Sequence, residues 1–201
     1  VLMQDEPDVH DIVAGCGVVN ADGQSVVWAA RFLGLRVPER VAGIDLMGRL
    51  IALCESEGWP VYFLGAKRDV LAAFEAEALR RHPRLVVAGR RNGYFRADQE
   101  VGIAESVRAS GARLLLVGIS SPMKERFLAR NMERMGPLLA MGVGGSFDVW
   151  AGKATRAPLW MQRVGLEWFH RFAQEPRRMW KRYLVGNLRF AWIVLRARFA
   201  R

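Results

Sequence analysis

This sequence predicts an α/β fold: a mainly parallel, Rossmann-like sheet with helices on both faces, followed by a basic helical appendage. Three observations carry that expectation. Short apolar runs alternate with longer amphipathic stretches through the first 150 residues, which is the pattern of βα units. The runs are rich in β-branched residues and continuously apolar, as strands are when both faces of a sheet are covered. Several end in glycine, and in an open parallel sheet the carboxyl ends of the strands line the ligand crevice.

Taken in order, the expected strands are 16–20, 60–64, 85–88, 113–117 and 138–143, with helical spacing at 24–34, 43–57, 68–81, 98–110 and 122–135. The first unit, GVVNADGQSVVWAARFLG, sets the tone. Gly17, Val18 and Val19 read as the end of a buried strand, Asn20 to Gly23 as a turn, and Ser25 to Leu33 as a helix. Asp22 is then either the N-cap of a helix beginning near Gln24 or a carboxylate held at a strand end for chemistry. Local sequence leaves both open.

Three later turns are glycine-bearing: Gly65 in VYFLGAKRD, Gly118 in LLLVGISSPMKE, and Gly142, Gly144 and Gly145 in LLAMGVGGSFD. Glycine at such a point lets a ligand approach the backbone, and the following helix N-terminus favours an anion such as a diphosphate. A tight turn explains any one of them. Three in one sheet favour a nucleotide-type pocket, although neither G-x-G-x-x-G nor G-x-x-x-x-G-K-[ST] is present. Ser120, Ser121 and Pro122 read as a helix start, the serines capping and the proline in the first turn. Lys124 and Glu125 follow, on a solvated face or a crevice face.

The net charge of +10 is unevenly placed. Residues 1–150 hold 18 basic and 18 acidic side chains, whereas residues 151–201 hold 12 basic and 2 acidic. The chain therefore divides into a neutral α/β body, 1–150, and a basic appendage, 151–201. The appendage is all-helical in pattern, with a new helix beginning at Pro176, and it carries four of the seven tryptophans. Arginines interleaved with Trp, Phe and Leu describe helices lying at an anionic membrane interface. Packing on the body and nucleic-acid binding are the alternatives. No apolar run approaches the roughly 20 residues that span a bilayer.

Cys16 and Cys54 sit in apolar contexts as core fillers rather than a disulfide framework. His10, His82 and His170 share no metal-site spacing with them. No metal and no resident cofactor are expected.

NADGQSVVWAARFLG, VPERVAGIDLM, VYFLGAK, NGYF, LLVGISSPMKE and GVGGSFDVWAGKATRAPLWMQRVGLEWFHRFAQEPRRMWKRYLVGN follow one another in a recognisable order and spacing. Together they resemble the WecG/TagA/CpsF bacterial glycosyltransferases across nearly the whole chain. That resemblance implies sugar transfer from a UDP-sugar to a polyprenyl-diphosphate-linked acceptor in the synthesis of cell-wall polymer or exopolysaccharide. It implies Asp22 as catalytic base and Arg40 as the residue engaging sugar or diphosphate. Tyr94 and Asp148 are implied at the nucleoside end of the donor site, and the strand-end turns read above add Gly65, Gly118, Ser120, Ser121, Lys124, Gly144 and Gly145 as candidate nucleotide-sugar contacts. Arg171, Arg177, Arg178 and Arg182 are implied at the acceptor diphosphate and the membrane.

The resemblance also implies a peripheral enzyme on the inner face of the bacterial plasma membrane, self-associating, with no nucleic-acid partner. Two departures stand out. A Thr-x-Asn-type motif is expected upstream of Asp22, in a segment preceding Val1. Lys124 stands where many members carry a neutral glutamine, which is expected to alter donor or acceptor choice. No D-x-D, the manganese-binding pair of many glycosyltransferases, occurs. Two competing classes are a nucleotide-binding regulatory module that uses its basic tail on nucleic acid and a Rossmann-type oxidoreductase. The missing glycine fingerprint weakens the oxidoreductase.

Overall fold

The computed structural model describes residues 2–174 and 176–199, together with the side chains of these other than residues 163, 171 and 177–184. In chain order the elements are α1 (Leu2–Asp5), α2 (Pro7–Ala14), α3 (Gln24–Phe32), α4 (Gly43–Glu57), β1 (Val61–Gly65), α5 (Arg68–Arg81) and β2 (Val87–Arg91). A single 3₁₀ turn, Ala97–Gln99, leads into α6 (Glu100–Ala109). The rest are β3 (Leu114–Gly118), α7 (Met123–Met135), β4 (Leu139–Gly142), α8 (Ser146–Trp150), α9 (Leu159–Arg163), α10 (Glu167–Gln174) and α11 (Pro176–Phe199). The expected body and appendage were a division of charge. By packing, the chain forms two compact units, Gly43–Ala154 and the pair of segments Val1–Ala42 with Thr155–Arg201.

The Gly43–Ala154 unit is the α/β sandwich. Its four strands run in the order β2-β1-β3-β4, every neighbouring pair parallel. β1 is buried along its whole length and β3 along all but its last residue, because both are central and covered on both faces. Val61, Phe63, Leu114 and Leu116 face a core built with Met47, Ile51 and Cys54 of α4, Phe74 of α5 and Phe147 of α8. The alternate residues Tyr62, Leu64, Leu115 and Val117 meet Ile103 and Val107 of α6 and Phe127 of α7 on the other face. The phenylalanines organise the first face: Phe74 stacks on Phe147 with centroids 4.1 Å apart and meets Phe63 edge-on at 5.0 Å.

Four of the five expected strands are present, displaced by one to three residues. The fifth expectation is corrected: 16–20 is not a strand. Val18 and Val19 are 79% and 65% exposed, and Cys16, expected in the core, is exposed as well. Two β-branched residues between Gly17 and Asn20 are too few to hold a strand against a sheet, and the segment spends its polar groups otherwise. Val41 N–H donates to Ala21 O at 3.0 Å and Asn20 Nδ2 to Val41 O at 2.9 Å. Cys54 is buried as expected, and burial pushes its thiol pKa up.

The second unit is helical, with Val9, Val27, Ala30, Ala157 and Met161 buried in it. Arg189 of α11 donates to both carboxylate oxygens of Asp5, at 2.9 and 2.6 Å, and the Arg198 guanidinium lies 5.9 Å from the Phe32 ring centroid. Among the described residues no helix is long and apolar enough to cross a membrane.

Candidate functional site

In the helical unit, Asp22 sits in an irregular turn just ahead of α3. Gly23, not Asp22, occupies the N-cap position, which corrects the capping alternative. The Asp22 side chain is 65% exposed. Arg40 reaches back across 18 residues and donates from Nε to the Asp22 backbone oxygen at 2.5 Å. Its Nη2 then lies 4.0 Å from Asp22 Oδ1, and the Arg40 side chain is only 17% exposed. Sequence expectation placed these two residues in one role set, and the fold brings them together. They do so through a loop, not at a strand end.

In the α/β unit the glycine-ended strands are neighbours: β1 ends at Gly65, β3 at Gly118 and β4 at Gly142. Their glycines make room first for the protein itself. A Cβ on Gly65, at φ +140°, would lie 2.5 Å from the carbonyl carbon and oxygen of Gly118. Ala66 follows in the left-handed region at φ 54°. There its N–H donates to Gly118 O at 3.0 Å and its carbonyl accepts from Gly93 N–H at 2.9 Å. The turns after β1, β2 and β3 are thereby laced together. Gly144, at φ +51°, has nothing within 4 Å of a built Cβ, and Gly145 is the N-cap of α8. The Asp148 backbone carbonyl accepts from Lys153 and Ala154 at 2.9 and 3.1 Å.

Beyond β1 and β2 lies an open depression of about 520 Å³, lined by Lys67, Arg68, Arg91, Asn92, Tyr94 and Gln99. Tyr94 is 70% exposed. Arg91 Nε is buried with no hydrogen-bond partner. Lys67 occupies the N-cap of α5 without a side-chain cap. The helix's first N–H groups and its dipole therefore add to three cationic side chains. A depression of that kind suits an anion flanked by a flat ring. Of its lining, only Tyr94 was anticipated. Lys67 and Arg68 were visible as a basic pair opening a helix after a glycine turn. Arg91 was not, because nothing in its local sequence marks it as the end of a strand.

At the turn after β3, Pro122 rather than a serine takes the N-cap of α7. Ser120 is exposed, and its carbonyl accepts from Lys124 N–H at 3.3 Å. Ser121 Oγ donates to Glu125 Oε1 at 2.8 Å, and the Lys124 ammonium donates to both Ser121 Oγ and Glu125 Oε1. Burial works to raise the Glu125 carboxyl pKa, but the hydrogen bonds from Lys124 and Ser121 outweigh it and hold the group below the ordinary carboxylate range. The Lys124 stem crosses Gly142, where a Cβ would come 2.5 Å from Lys124 Cε. Lys124 is therefore locked in a three-membered polar cluster. The side chains of Arg171, Arg177, Arg178 and Arg182 lie outside the described residues.

Compared with known protein families, the chain matches the model described as Glycosyl transferase WecG/TagA/CpsF family over residues 1–201.

Proposed function

Because the chain belongs to the WecG/TagA/CpsF family of glycosyl transferases, we propose that it moves a hexose or N-acetylhexosamine-type sugar from a UDP-sugar to a polyprenyl-diphosphate-linked saccharide, with inversion. Family membership itself makes it a glycosyltransferase of polysaccharide synthesis. The donor sugar is N-acetylmannosamine, its uronic acid, or glucose.

Asp22 takes the proton of the acceptor hydroxyl as that oxygen attacks the anomeric carbon. The bond from that carbon to the UDP oxygen breaks, and UDP leaves with the electron pair. The first role needs a carboxylate that a hydroxyl can reach. The observation that carries the reading is Asp22, 65% exposed in a turn that Arg40 pins through a backbone carbonyl. The departure of UDP needs positive charge and oriented N–H groups. Arg40, whose Nη2 lies 4.0 Å from Asp22 Oδ1, supplies the positive charge beside the base. One carboxylate suffices for transfer to an alcohol, where hydrolysis uses two. With arginines available and no D-x-D in the sequence, the reaction is proposed to run without a metal.

The same reading sets the protein on an anionic membrane as a peripheral enzyme. What supports it is α11, whose Val185, Leu188, Trp192, Leu195 and Phe199 recur every three or four residues and are 44% to 83% exposed. Arg189, Arg196 and Arg198 flank that stripe, and residues 176–199 contain no acidic side chain. Such a helix suits a lipid headgroup layer.

The experiment is a UDP-sugar panel against a polyprenyl-diphosphate sugar, run in EDTA, with Asp22→Asn alongside. Turnover by the wild type with one donor is expected, and a loss of about 10²- to 10⁴-fold in the variant. Normal turnover by Asp22→Asn would remove it as the base. Activity abolished by EDTA and restored by manganese would overturn the metal-free proposal.

A further inference from the structure

Arg40 is held from a second side. Its Nη2 forms a close ion pair with the Glu167 carboxylate, and its Nη1 donates to Gln162 O at 3.3 Å. The other Glu167 oxygen lies 3.5 Å from Arg156 Nε. The four side chains form a ladder of alternating charge, Arg156–Glu167–Arg40–Asp22. Arg156, Glu167 and Arg40 are 28%, 25% and 17% exposed, against 65% for Asp22.

We infer that Glu167 is a positioning residue for the transfer reaction, acting through Arg40. This rests on the reading of Asp22 as base and Arg40 as the charge-bearing group beside it. Arginine has a long stem, and a guanidinium meets carboxylates in defined planar geometries. With Asp22 as its sole acid neighbour, Arg40 is drawn the remaining distance onto that carboxylate and shields it from a hydroxyl. Glu167 competes for the same guanidinium and holds it back at 4.0 Å from Asp22 Oδ1.

The backbone is arranged to deliver Glu167 to that spot. Glu167 opens α10, where its charge is favoured by the helix dipole. Two residues earlier, Gly165 turns at φ +73°, and a Cβ there would come 2.6 Å from Cγ of Gln24. Gln24 is the first residue of α3 and lies two positions after Asp22. The turn that presents Glu167 is thus seated against the helix that follows the base. Sequence inspection gave no hint of the pair, since 127 residues separate Arg40 from Glu167.

The test is a double-mutant cycle in the sugar-transfer assay with Glu167→Gln, Arg40→Ala and the double variant. Glu167→Gln is isosteric and is expected to lower kcat about 10- to 100-fold while leaving donor KM within about threefold, because it misplaces a group instead of removing a binding contact. On the Arg40→Ala background it is expected to cost less than about twofold. Glu167→Asp, which keeps the charge, is expected to recover part of kcat. An unchanged kcat in Glu167→Gln overturns the proposal, as does an equal loss on both backgrounds, the signature of a merely structural role. If Glu167→Gln fails to fold, Glu167→Asp on the two backgrounds makes the same comparison. With Asp22→Asn run in parallel, a fully active Asp22→Asn refutes the base assignment and this inference with it. An inactive Asp22→Asn beside an unaffected Glu167→Gln refutes the inference alone.

Discussion

Gly65→Ala is the substitution whose cost the fold states most directly. Gly65 ends β1 at φ +140°, a conformation essentially confined to glycine; a non-glycine residue forced there costs on the order of 1–3 kcal/mol. The added Cβ would also lie 2.5 Å from the carbonyl carbon and oxygen of Gly118 and 2.6 Å from its Cα. These are backbone atoms of the neighbouring central strand, so no side-chain rotation relieves the overlap. Parting β1 from β3 adds about 1–3 kcal/mol of overpacking. The two together come to about 2–6 kcal/mol, a large fraction of the roughly 5–15 kcal/mol that holds a typical domain together.

Gly58→Ala is the matched control. Its φ of +67° imposes a left-handed backbone, but nothing lies within 4 Å of its Cβ, so about 1–2 kcal/mol of backbone strain is all it should show. Urea unfolding followed by far-ultraviolet circular dichroism, fitted for both variants and the parent, measures the difference. If Gly65→Ala costs no more than Gly58→Ala, the claim that the strand-end glycines admit the neighbouring strand is wrong.

Two further predictions concern charge and surface. Hydrogen bonds from Arg80 and Arg81 pull the Glu77 carboxyl pKa down to about 2. A depressed folded-state pKa gives stability that is complete above the ordinary carboxylate range and lost as pH falls toward about 2. Glu77→Gln should flatten the acid arm of the stability–pH curve over that interval; an unchanged arm in chemical unfolding at stepped pH contradicts it. On α11, Leu188→Ser with Trp192→Ser should weaken co-flotation with phosphatidylglycerol vesicles by about tenfold or more, since each exposed apolar side chain stands to gain roughly 1.5–3 kcal/mol on burial. Unaltered flotation would take the helix out of the membrane-facing role.

The legibility of this molecule in its sequence follows from how local each signal is. β1 and β3 were readable because central strands buried on both faces must be continuously apolar, and VYFLG and LLLVG are. β2 was placed too early, at 85–88. Leu85 is apolar because it plugs the core ahead of the strand, whereas the paired residues are Val87, Gly89, Arg90 and Arg91 opposite Val61, Tyr62, Phe63 and Leu64. On an edge strand backbone pairing tolerates arginine, and the hydrophobic pattern then points to the wrong residues. The misread strand at 16–20 is the converse case, an apolar pair with no sheet to join.

What the sequence by itself determined is the alternation of central strands and amphipathic helices, the glycine ends of three strands, the basic tail and the family. All of these are properties of contiguous residues, written in periodicity, turn chemistry and motif order. What only the tertiary structure decided is the partnership of Asp22 with Arg40 and of Arg40 with Glu167, together with the cationic depression around Arg91 and the locking of Lys124 across Gly142. Each depends on which distant side chain arrives to satisfy a charge. That is set by how helices and loops pack, and a charge carries no mark of its partner in its own stretch of chain.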